Sequence, residues 1–242
     1  MPDIFKPQTK EELKEAVDLF CRKKGRAFLK YGEISKWDTS LITDMSELFK
    51  NKNKFNHNIN NWNVSNVTNM KEMFCKAKMF NQPLNKWNVS NVTNMEAMFK
   101  YAIRFNKPLD RWNVINVKNI NKMFANSYEF NRPINNWNVS NVESMSCLFN
   151  NALKFNQSLD KWDVSNVIYM TGMFCYAVKF NKPIDNWKIN KVNYFEDMFY
   201  CAFAFDKSLN SWDISKAKYQ KNMLYGCKIK KKNATWANYY HL

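Results

Sequence analysis

Glycine is scarce in this chain. Its four glycines in 242 residues (Gly25, Gly32, Gly172 and Gly226) stand too far apart to build a phosphate-cradling loop. Histidine is scarcer still: His57 and His241 are the only two, and neither lies beside a cysteine pair. The six cysteines (Cys21, Cys75, Cys147, Cys175, Cys201 and Cys227) form no C-x-x-C, so no zinc site is expected, and no other metal or cofactor. They read as free thiols of a reducing compartment. The diagonal run Cys175, Cys201, Cys227 leaves room for one close pair. There is no apolar run of about 18 residues, so no spanning helix or membrane insertion is expected. The lead-in from Met1 to Pro7 carries no basic stretch followed by an apolar one, so no secretory signal is expected either. These absences point to an intracellular location, in cytoplasm or host cell, or to a virion.

Aromatic residues, by contrast, are plentiful at 16%, which argues against disorder. Trp37, Trp62, Trp87, Trp112, Trp137, Trp162, Trp187 and Trp212 recur every 25 residues without a slip. A fixed period of this size marks a repeat array. Positions can be counted from each Trp. Position +2 is mostly Val (Val64, Val89, Val114) and +5 likewise (Val67, Val92, Val117). Phe occupies +12 from Phe49 to Phe199 and +18 from Phe55 to Phe205.

Two periodicities share one repeat. Leu84, Trp87 and Val89 suit a short extended segment. Met70, Met73, Phe74 and Ala77 stand at i, i+3, i+4 and i+7, the spacing of a helix face. Asp44 and Asn69 precede such runs as N-caps, with Glu47 and Glu72 three residues on. The expected fold is an α/β repeat: a single leucine-rich-like solenoid of eight 25-residue strand-turn-helix rungs, with parallel strands on one face and helical caps. Residues 1–34 would be the N-terminal capping helix and lead-in, 35–226 the solenoid, and 227–242 a C-terminal cap or tail. The first cap is a helix from Thr9 to Lys24, burying Leu13, Ala16, Val17 and Phe20 and stopped by Gly25. After Trp212 the pattern decays: Gln220 stands for Met and Lys230 for Phe, and Trp236, Tyr239 and Tyr240 would close the far end.

The complete pattern, L-x-x-W-x-V-S-x-V-x-x-M-x-x-M-F-x-x-A-x-x-F-N from Leu84 to Asn106, resembles the repeats of BspA-family leucine-rich-repeat surface proteins. That family is rich in mycoplasma lipoproteins, and similar repeats occur in giant DNA viruses. The resemblance implies a curved solenoid with adhesion or host interaction as the discussed role.

Catalysis is not expected. His57 occupies a position that other repeats fill with Gln, Lys or Arg, and the pairs Glu11-Glu12 and Glu196-Asp197 fall on expected helix surfaces. Non-enzymatic scaffolding of an unknown protein partner is the leading expectation. Its candidate binding face is the +1 column: Asn63, Asn88, Asn113, Asn138, Asp163, Lys188 and Asp213. The same polar strip also reads as plain solvated surface. The +16 column (Ile103, Tyr128, Leu153, Val178, Phe203) is a candidate apolar contact strip, or else core boundary. A monomer or weak self-association is expected, and the strip would serve an assembly component. A net charge of +16, with seven Lys between Lys216 and Lys232 and no acidic residue after Asp213, offers nucleic acid or another polyanion as the alternative partner. The Asn columns at +4 (Asn66, Asn91, Asn116) and after the +18 Phe (Asn56, Asn81, Asn106) read chiefly as a structural amide ladder.

Overall fold

The computed structural model describes residues 4–237. Helix α1 spans Lys10–Arg22. The Thr9 hydroxyl caps it by accepting from the Glu12 amide, and Leu13, Ala16, Val17 and Phe20 form its buried face. Its end differs from the expectation. Lys23, at φ −143° and ψ 68°, breaks the helix, and Gly25 lies inside a second helix, α2, Lys24–Tyr31. Gly32, at φ +70°, ends that one. Helix α1 docks on the first rung: the ring of Phe20 meets Trp37 edge-on at 6.3 Å, and Lys10 and Asp18 pair with Asp44 and Lys52.

Within the repeats the strand-turn-helix expectation is overturned. Among the described residues no helix falls between Trp37 and Lys230, and extended pairing is reduced to isolated parallel bridges from Asp44↔Asn69 to Tyr194↔Tyr219. Each rung is instead a run of tight turns. The amides of Met73, Cys75 and Ala77 close turns onto Met70, Glu72 and Phe74, at 3.2, 3.0 and 2.9 Å. The alternate amides leave the rung. Those of Met70, Glu72, Phe74 and Lys76 donate to Asn94, Glu96, Met98 and Lys100 of the next rung, at 2.7–2.9 Å. The same four bonds recur at every step through Cys201→Tyr225. The backbone is therefore satisfied half within the rung and half between rungs, as burial requires.

This geometry requires left-handed backbone at two positions per rung. Column +10, from Glu47 to Asn222, and column +14, from Asn51 to Gly226, have positive φ in all eight rungs. A positive φ at the third residue of a turn is the type II signature, and no α-helix tolerates it. The supposed N-caps also act differently. The side chains of Asp44, Asn69, Asn94 and Asn119 each accept from the amide two residues on, making a side-chain turn rather than a helix cap.

The Trp-to-Val segment carries no rung-to-rung backbone bond either. Its amides close local turns, Trp87 onto Leu84 and Val92 onto Val89. Side chains bridge the rungs there. Each indole from Trp62 to Trp212 donates to the carbonyl 28 residues earlier, as Trp87 does to Ile59 at 3.1 Å. Asn91 reaches Ser65 at 2.7 Å, and the Asn81 amide donates to the Asn56 side chain at 2.9 Å, so both Asn columns are structural ladders.

The core follows from the repeat. Phe74, Phe80, Phe99 and Phe105 are fully buried. Phe74 stacks on Phe80 within its rung at 4.1 Å and on Phe99 of the next at 5.5 Å. Such pairs contribute about 0.5–1.5 kcal/mol each beyond area burial. At the far end Trp236 continues the series, its indole donating to Leu209 at 2.8 Å, while Ile229 is buried beside Lys230. Tyr239, Tyr240 and His241 lie outside the described residues.

Candidate interaction faces

The seven +1 residues named above are brought together on one face. Asn63, Asn88, Asn113, Asn138, Asp163, Lys188 and Asp213 are all exposed, one per rung. All except Lys188 also do local work: their side-chain oxygens accept from the amide at +3, as Asn138 does from Ser140 at 3.1 Å and Asp163 from Ser165 at 3.0 Å. Hydrogen bonds from Ser165 and Ser215 hold the carboxyls of Asp163 and Asp213 below the usual carboxylate range. Asn136, Asn138, Lys161 and Asp163 border an open polar depression across two rungs of this face.

The +16 column is less exposed. Ile103, Tyr128, Leu153 and Val178 are half-buried, and only Phe203, at 52%, stands out to solvent. The carbonyls of Ile103 and Tyr128 accept from the amides of Glu129 and Lys154 in the next rung.

Sequence reasoning missed a third surface. Tyr169, Tyr194 and Tyr219, at +7, stack in succession at 4.7 and 4.8 Å. Tyr200 stacks on Tyr225 at 5.2 Å, with Tyr176 edge-on to Tyr200. The signal was present in the sequence, since tyrosine enters column +7 only from Tyr169 and column +13 only from Tyr200.

All six cysteines are free. Burial pushes Cys175 up to about 12 and Cys227 up to about 11, so neither is an activated thiol. Burial, and then Lys24, lower the pKa of His57. Among the described residues no cluster of His, Cys, Asp and Glu could hold a metal, and no helix is long and apolar enough to cross a membrane.

These features define a tandem-repeat protein whose rungs are stacked turns locked by backbone and amide ladders. The chain belongs to the family described as Mycoplasma protein of unknown function, DUF285, whose model matches residues 18–137 and again 120–236. No curated protein matches it.

Proposed function

We propose that the chain is a non-enzymatic scaffold that binds a protein partner through its +1 face. The observation that carries this reading is the unbroken exposure of Asn63, Asn88, Asn113, Asn138, Asp163, Lys188 and Asp213 at one residue per rung, with the Asn138–Asp163 depression among them. A rigid row of donors and acceptors at fixed pitch suits an extended or repetitive polypeptide. Lost side-chain entropy is low there, because turn bonds already hold most of the row. The repeat pattern also supports kinship with BspA-type surface proteins, for which binding is the discussed role.

The test is affinity capture from lysate at moderate salt with the whole chain and with Lys161→Glu/Lys188→Glu. Neither Lys takes part in a turn bond on this face. A discrete protein captured by the wild type and lost from the variant supports the reading. Equal capture by both, or no protein at moderate salt, overturns it.

A further inference from the structure

The rung-to-rung bonds of the turn row run one way, whereas the +6 amides beside it, such as Lys218 onto Asn193, point back to the preceding rung. Over positions +8 to +14 every linking amide points toward the following rung, and every linking carbonyl toward the preceding one. Among the described residues, the eighth rung's amides in this row therefore end without an acceptor. Tyr219, Lys221, Met223 and Tyr225 accept from the seventh rung, but no described group accepts from the amides of Gln220, Asn222, Leu224 or Gly226. Leu224 is buried, while Gln220 and Asn222 are half-exposed and Gly226 is exposed. Aligned peptides that all present N–H on one edge form the positive pole of a summed dipole, as at concave amide sites for anions.

Two tyrosine columns end on this edge, one at each side of the amide row. Tyr219 precedes Gln220 and Tyr225 precedes Gly226; they are 47% and 53% exposed. Each is stacked from behind, on Tyr194 and Tyr200, and among the described residues neither carries a ring on its outer face. Lys218, Lys221 and Lys228 are exposed around them. In the rung behind, the carboxylates of Asp197 and Asp206 accept from the side chains of Asn222 and Asn233, and that of Glu196 accepts from Thr171.

We propose that this C-terminal end face binds single-stranded nucleic acid, independently of the +1 face. Phosphates sit on the amides of Gln220, Asn222 and Gly226 and on Lys218 and Lys221, and bases stack on the outer faces of Tyr219 and Tyr225. Open aromatic faces beside a positive groove are the sequence-tolerant recognition device for single strands. An acidic peptide would satisfy the amides and lysines but leave both rings unused.

The test is fluorescence anisotropy of a labelled dT12 oligonucleotide with the full chain across a salt series. Binding should weaken steadily as salt rises. Tyr219→Ala and Tyr225→Ala should each weaken it roughly ten-fold, while Tyr219→Phe/Tyr225→Phe, which keeps both rings, should bind like wild type with an unchanged melting temperature. Lys218→Ala/Lys221→Ala should flatten the salt slope. The proposal is overturned if the two Ala variants bind like wild type, if a poly-glutamate peptide or the matching duplex competes as well as the single strand, or if dT12 does not bind at low salt.

Discussion

The indole Nε1 of Trp112 donates to the carbonyl of Leu84, 28 residues earlier, at 3.0 Å, and its ring lies within 2° of parallel to that of Trp87 in the preceding rung. One side chain thus supplies both the polar and the apolar link on the side of the rung that lacks backbone pairing. Trp112→Phe keeps a ring but leaves that carbonyl with one donor fewer, in a fully desolvated place. Loss of the bond and of packing should lower stability by about 2–4 kcal/mol, read from urea unfolding. An unchanged midpoint would show that the indole bonds do not hold the rungs.

The left-handed columns predict opposite signs for exchanges with glycine. Lys122 is exposed with φ +57°, and Lys122→Gly relieves strain at little contact cost. It should stabilise by about 0.5–1 kcal/mol. Gly172 stands in the same column at φ +59°, and an added Cβ would lie 3.3 Å from the Cys147 sulfur. Gly172→Ala should therefore destabilise by about 1 kcal/mol or more. Thermal unfolding of the pair reads both signs at once.

The acid limb of stability should contain a contribution from Glu72. It accepts from Lys50 at 2.6 Å across the first two rungs, and that bond holds its pKa below the ordinary 4.5. A lowered carboxylate pKa gives stability that is complete above pH 4.5 and lost as pH falls through the folded value. Glu72→Gln should cost up to about 1 kcal/mol at pH 7 and close to nothing near pH 2. A cost independent of pH would exclude the ion pair as its origin.

Thiol labelling separates the cysteines. Cys175 is buried and pushed up to about 12 by desolvation, with Asp197 adding to the effect. Iodoacetamide at pH 8 should label the exposed Cys21 first and leave Cys175 unmodified until the chain unfolds. Early modification of Cys175, read by peptide mass spectrometry, would mean that the stack opens there under native conditions.

The period, the stacked aromatic columns and the Asn ladders were all legible, because a residue repeated every 25 positions meets its own copy in the next rung. The local conformation was not. Met70, Met73, Phe74 and Ala77 have helical spacing, yet successive β-turns bring the same residues inward, since each turn also joins i to i+3. The pattern alone does not separate the two. Backbone handedness does, and its signal was half present. Asn51, Asn126, Asn151 and Gly226 at +14, with Gly172 and Asn222 at +10, are residues that accept positive φ, but Glu72, Ala97 and Lys76 in the same columns hide it. The +1 residues are exposed for a reason other than strand alternation, since their side chains close turns onto the +3 amides. The amide edge could not be read at all, because only the direction of the bonds creates it.

The identity of those bonds from one step to the next also bears on how such a chain changes over generations. Excising Asn113 to Trp137 would set Asn138 directly after Trp112, and every backbone donor of the +8 to +14 row would still meet a backbone carbonyl in the same column. Whole modules can be gained or lost by unequal recombination while α1 and the tail still fit their ends. Reach along the stack axis is thus adjustable in single-module increments without any redesign of the interior.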